Sequence, residues 1–252
     1  MHLKQHIPNA VTLLNLLCGC IAIPFAVQGN LVVAVLFVFL GIFFDFFDGL
    51  LARKLNVQGP LGIQLDSLAD LVTSGVVPGL IMFKLLSFTV DGPDYTVHSS
   101  DWNSVFHWEQ YHLSIVPLIG FLIPLASAYR LARFNLDEDQ QTYFKGLPVP
   151  ANTLVITALP LILEYQNNDV MNAIIINKWF LVSLTLLSCF LLNSNIKLFA
   201  LKFKDWSFKN NAVRYIFLTV SLVALVVLQF AAIPLIILLY ILFSLLSQKQ
   251  IV

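Results

Sequence analysis

The chain has 252 residues, 58% of them hydrophobic and only 11% charged, with a mean hydropathy of +0.84. That composition lies outside the range of soluble domains and inside that of polytopic membrane proteins. Basic and acidic side chains cancel to a formal net charge of zero, so nothing in the balance suggests a nucleic-acid partner and none is expected.

His2, Lys4 and His6 precede an apolar run from Ala10 to Val27. The run is close to bilayer length and ends without a small-residue cleavage site, so it reads as a retained first span, not a signal peptide. Asn9 and Thr12 stand at its start, where Asn9 could cap the helix. Further apolar runs place spans at about 31 to 52, 61 to 86, 112 to 134, 149 to 165, 178 to 194, 212 to 229 and 231 to 248. The last two come from one long run that Gln229 and Pro234 are expected to fold back, giving about eight spans. Cys18, Cys20 and Cys189 fall within these runs without metal-site spacing and are read as small buried hydrophobes.

With the amino terminus in the cytoplasm, every Lys and Arg except Lys84 and Lys178 falls on the cytoplasmic side, as the positive-inside rule requires. Both termini should face the cytoplasm, with the chain in the inner (cytoplasmic) membrane. The stretch from Thr89 to Tyr111 has no Lys or Arg and should lie outside. His107 within it and His112 just beyond it, near Trp102 and Trp108, read as an interfacial belt in preference to metal ligands. The lysines and aromatics between Ile196 and Tyr215 should rest on anionic headgroups.

The stretch DFFDGLLARKLNVQGPLGIQLDSLAD, from Asp45 to Asp70, sits at the junction of the second and third spans. Asp45 and Asp48 are three apart, Asp66 and Asp70 four apart, spacings that put each pair on one helix face. Asn56 to Pro60 reads as a turn, so an antiparallel helical hairpin brings both acidic faces to similar depth. An ionised Asp at membrane depth costs roughly 2.5–3.5 kcal/mol, so an unpaired cluster would cost on the order of 10 kcal/mol before mutual repulsion. Arg53 and Lys54 cannot cancel that charge, whereas two divalent cations would. Oxygen donors of this kind suit Mg2+ or Mn2+ and argue against zinc. Gly49, Ala52 and Gly62 leave room beside the acids for another helix or a planar ligand. Arg53 is placed to clamp a phosphate or to anchor the helix end, and Arg130 and Arg133 to bind phosphate or carboxylate or to serve as anchors. Gly146 to Pro150 either shapes the mouth of the site or simply opens the fifth helix.

The pattern Asp45-x2-Asp48-Gly49-x2-Ala52-Arg53-x8-Gly62-x3-Asp66-x3-Asp70 resembles, without departure, the signature of the CDP-alcohol phosphatidyltransferases. IPNAVTLLNLLCG from Ile7, RLARFN from Arg130 and FKGLPVPAN from Phe144 are similar to the branch that acts on CDP-diacylglycerol and serine. The resemblance implies an all-α bundle with a six-helix core over residues 1–195, an interfacial segment over 196–211 and an appended hairpin over 212–252. It implies that Asp45, Asp48 and Asp66 hold a metal pair, that Asp70 is the general base with a share in metal binding, and that the CDP group lies among Gly49, Ala52, Arg53 and Gly62. Asn9 and Thr12 are then expected near the nucleotide-lipid. The implied substrates are CDP-diacylglycerol and L-serine, and the implied assembly is a homodimer in membrane lipid. Transfer to glycerol 3-phosphate or inositol phosphate is the alternative within the family. A divalent-cation transporter would explain the acids but leaves Gly49, Ala52, Arg53 and Gly62 without a role.

Overall fold

The computed structural model describes residues 2–91, 115–136, 143–166, 168–199 and 208–246. The stretch from Thr89 to Tyr111, with His107 and His112, falls almost wholly outside the described residues, as does much of the segment from Ile196 to Tyr215.

Helix α1 (His2–Val27) and helix α2 (Leu31–Lys54) form an antiparallel pair. Asn30 caps α2, its Oδ1 accepting from the Val33 amide at 3.3 Å. Ala22, Ala26 and Ala34 are fully buried, since small residues let membrane helices approach closely. The helix begins at His2, well before the apolar run, so Asn9 lies inside it and does not cap it. Hydrophobicity marks where the membrane starts, and the helix continues past that point into the polar residues. Of the cysteines, Cys18 is buried and Cys189 half-buried, but Cys20 is exposed; it lies on the outer side of α1.

The turn after α2 follows from Asn56, which adopts a left-handed φ of 53°. Val57 N donates to Ala52 O at 3.1 Å and Asn56 N to Arg53 O at 3.2 Å, the paired bonds of a Schellman stop. Pro60 then opens helix α3 (Pro60–Asp70) where its missing N–H costs nothing. A π-helical turn (Leu71–Val76) joins α3 to helix α4 (Val77–Asp91). Short helix α5 (Ile115–Leu118) leads through a 3-10 turn into helix α6 (Leu122–Leu136). Helix α7 (Val149–Tyr165) follows, then helices α8 (Asp169–Ile175) and α9 (Lys178–Asn193), which meet at 63°. Helices α10 (Phe208–Leu228) and α11 (Ala232–Leu246) complete the order.

By length and composition, five helical runs among the described residues can cross a membrane, or six if α8 and α9 form one span. One of the five, Arg214–Leu246, is doubled back: Phe217 packs against Tyr240 at 5.9 Å and Phe243 at 6.3 Å between ring centroids. Gln229, at φ 49°, makes the reversal expected there. With α7 as a shorter apolar helix, the order of segments agrees with the spans read from hydropathy. The chain is a multi-pass membrane protein and an all-α bundle. Apolar side chains such as Leu36, Leu125, Leu186 and Val226 point outward, while Thr12, Asn15, Asp48, Asp70 and Thr73 are buried. Lipid solvates the first group, and the second must find partners inside.

Two features have no forerunner in the hydropathy pattern. Strand β1 (Tyr143–Lys145) pairs antiparallel with strand β2 (Lys197–Phe199), with Lys145 opposite Lys197. Beside this ladder Gly146 has φ +75°, and a Cβ there would lie 2.6 Å from Leu192 O, so both conformation and space demand glycine. The second feature is Gln166, which brackets the C-terminal reversal: its Nε2 donates to Leu228 O at 2.7 Å and its Oε1 accepts from Ala231 N at 3.0 Å.

Each such bond is worth about 1 kcal/mol net, and about 1 kcal/mol moves the midpoint of a chain this size by about 2–4 °C. Gln166→Leu, which removes both bonds, should therefore lower the thermal unfolding midpoint in detergent by several degrees. An unchanged midpoint would show that the bracket does not hold the hairpin in place.

Candidate active site

The α2–α3 reversal sets the depth of the acidic residues. Asp45, Asp48 and Asp66 each present a carboxylate oxygen, and these three oxygens lie within 4.8 Å of one another. Asp45 and Asp66 are close enough to share a hydrogen bond. Asp48 is 5% exposed, and its Oδ2 is buried without a hydrogen-bond partner. Asp70, one turn further along α3, stands next to this trio and is not one of the three clustered oxygens. Its Oδ1 accepts from Asn15 Nδ2 on α1 at 3.2 Å.

A cavity of about 630 Å3 opens over the trio. Its walls are Asn9 and Thr12 of α1, Gly49, Ala52 and Arg53 of α2, Gly62 of α3 and Phe134 of α6. Every position of the acidic motif except Asp70 thus reaches one space. A Cβ at Gly62 would already stand 3.4 Å from Asn9 Oδ1, whereas the nearest atom to one at Gly49 would be Arg53 Nη2 at 3.9 Å. Thr12 donates to Pro8 O at 3.1 Å and faces Asp48.

The donor set fits a hard dication. Three carboxylates converge, one keeps an unpartnered buried oxygen, and the nearest arginine does not neutralise them: Arg53 Nε donates to Gly49 O at 3.0 Å. Oxygen-only coordination by carboxylates is what Mg2+ and Mn2+ prefer.

Arg130 and Arg133 occupy a second, narrower space with Lys145, Asn193 and Ser194. Its volume of about 10 Å3 admits roughly one water. The two arginines differ. Arg130 is 7% exposed, has an unpartnered Nε and lies in electrostatic reach of Asp70, with its guanidinium 5.9 Å from the Phe134 ring centroid. Arg133 is exposed, and its Nη2 donates to Asn195 Oδ1 at 2.8 Å. Phe134 touches both spaces and forms the partition between them. Next to it, Asn135 Nδ2 donates to Ser67 Oγ at 2.9 Å, tying α6 to the helix that carries Asp66.

Asn15, Thr73, Asn135 and Lys145 are the site residues that the sequence reading misses. Asn15 had a visible signal, as a lone amide in the middle of an apolar span, two turns beyond Asn9 on α1.

Residues 5–190 match the family model described as CDP-alcohol phosphatidyltransferase. A CDP-diacylglycerol–serine O-phosphatidyltransferase of Bacillus subtilis is 33% identical over 174 residues, 68% of this chain and 81% of the relative. A protein of the same name from Methanocaldococcus jannaschii is 29% identical over 170 residues, 67% of this chain and 68% of the relative. An archaetidylserine synthase of Methanothermobacter thermautotrophicus is 30% identical over 155 residues, 60% of this chain and 56% of the relative. The matched region carries all four aspartates, the whole cavity over them and the second space apart from Leu192, Asn193 and Ser194, and the chain belongs to the CDP-alcohol phosphatidyltransferase family.

Proposed function

We propose that this protein transfers the phosphatidyl group of CDP-diacylglycerol to L-serine, yielding phosphatidylserine and CMP. The observation that carries the reading is the convergence of Asp45, Asp48 and Asp66 beneath a cavity walled by Gly49, Ala52, Arg53 and Gly62. The acceptor is taken from the relatives whose names specify serine.

The chemistry then divides among the residues. Asp45, Asp48 and Asp66, with a share from Asp70, would hold Mg2+ or Mn2+, two ions by charge balance. Bound there, the ions would neutralise the diphosphate and stabilise the leaving oxygen. Gly49, Ala52 and Gly62 leave the backbone open to the nucleotide, Asn9 and Thr12 line its far wall, and Arg53 can swing from Gly49 O onto a phosphate oxygen. Asp70 takes the proton from the serine hydroxyl. The serine oxygen bonds to the phosphorus that bears the diacylglycerol, and the bond from that phosphorus to the CMP oxygen breaks. No covalent enzyme intermediate is needed, so direct displacement is the proposed route. Arg130 and Arg133 are assigned to the serine carboxylate, with Lys145 beside them, which requires the one-water space between them to widen when serine binds. Charge placement favours a cytoplasmic site with both termini on that side of the inner membrane, and the assembly is proposed to be a homodimer.

One observation favours a second reading. Arg130, Arg133 and Lys145 line the same narrow space, a denser basic wall than two arginines alone suggest, and the charge of that wall, once the space widens, would also suit an acceptor that carries phosphate, such as glycerol 3-phosphate or inositol phosphate.

Purified protein supplied with CDP-diacylglycerol and each labelled alcohol should label lipid with serine and not with the phosphorylated acceptors. Lipid labelling by a phosphorylated alcohol alone would reassign the acceptor. Chelation should abolish the conversion and added Mg2+ or Mn2+ restore it; turnover that survives complete removal of dications rules out the metal assignment. Asp48→Asn should reduce CMP release at least 100-fold and weaken Mn2+ binding measured by spin resonance. Arg133→Lys should raise the serine KM about 10-fold with little change in the KM for CDP-diacylglycerol; unchanged kinetics remove Arg133 from the acceptor site.

A further inference from the structure

Asn15 is fully buried, and three contacts fix it. Its Nδ2 donates to Asp70 Oδ1 at 3.2 Å, and its backbone oxygen accepts from Thr73 Oγ1 at 3.0 Å. Its Oδ1 lies against Gly41, where a Cβ would stand only 2.8 Å away. Thr73 belongs to the π turn that starts immediately after Asp70, and it too is fully buried. A Cβ at Gly41 would come within 2.6 Å of Thr73 Cγ2, and one at Gly19 would collide with Thr73 Oγ1. Two glycines, one on α1 and one on α2, therefore form a notch that admits Thr73 and nothing larger between helix backbones. Single π turns inside α-helices gather at functional sites, and this one carries the residue that grips α1.

We propose that Asn15 is a positioning residue for Asp70, held in register by Thr73 in the Gly19–Gly41 notch. This rests on the reading of Asp70 as the base. An amide donor on Oδ1 fixes the carboxylate plane and leaves Oδ2 to receive the proton. The donor is neutral, so it orients the carboxylate without adding to the positive charge that Arg130 already brings near Asp70. A misplacement of about 1 Å at a reacting group costs on the order of 100-fold in rate.

The test uses the full-length protein in detergent with CDP-diacylglycerol, serine and Mn2+. Asn15→Leu, close in volume but without a donor, should lower kcat about 10- to 100-fold, with both KM values and Mn2+ binding by spin resonance within about twofold of the parent. Thr73→Val should lower kcat several-fold, Thr73→Ser should restore most of that loss, and the double variant Asn15→Leu with Thr73→Val should be no slower than Asn15→Leu alone, because both act through one contact. Parental kcat in Asn15→Leu, a loss confined to KM or metal binding, or additive losses in the double variant would each overturn the inference. If Asn15→Leu does not fold, the Thr73 pair decides: equal rates in the Val and Ser variants reject it. Asp70→Asn separates the two levels. Parental turnover in Asp70→Asn defeats the base reading itself, whereas an inactive Asp70→Asn beside a fully active Asn15→Leu defeats only the positioning role.

Discussion

Three carboxylate oxygens held within 4.8 Å of one another inside a lipid-solvated bundle form a repulsive arrangement that the rest of the structure must maintain. Ionised aspartates are costly at membrane depth, and the two nearest guanidinium groups are not turned onto the trio: one is engaged by the Gly49 carbonyl, and the other lies near Asp70. The fold therefore gathers acidic groups whose charge a bound cation or an added proton must offset. Rigid features surround it for that reason. The Asn56 reversal fixes the relative depth of α2 and α3, the Asn135 to Ser67 bond fixes α3 against α6, and α1 closes the remaining side.

The helix α1 does more than cross the membrane. It supplies Asn9 and Thr12 to the cavity and Asn15 to Asp70, along one face at intervals of three residues. A side chain every three residues drifts slowly around an α-helix, so these residues descend from the open cavity towards the enclosed acid.

The bundle, the reversals after α2 and within the C-terminal run, and the acidic cluster were legible in the sequence because each has a strong local cause. Runs of apolar residues give spans, Asn-Val-Gln-Gly-Pro gives a turn, and acids three and four apart give shared faces. Asn15 was not assigned because its partner is 55 positions away, and a single amide in an apolar span has many structural uses. The π turn has no compositional mark, and it places Thr73 in a notch made by two other helices. Strands β1 and β2 are three residues each, too short for alternation to register. Arg130 and Arg133 look equivalent in sequence, yet packing buries one beside Asp70 and leaves the other at the surface on Asn195.

The small β ladder has a wider significance. The match to the family model ends at residue 190, but strand β2 lies beyond it and completes the hydrogen bonding of the segment that presents Lys145, while Gly146 N and Leu147 N are satisfied by Ile196 O and Leu191 O. Tyr240 of α11 packs in the same cluster as Leu147 and Leu198. The tail thus buttresses one wall of the core, so that wall's geometry is set partly by residues outside the stretch that the family model covers.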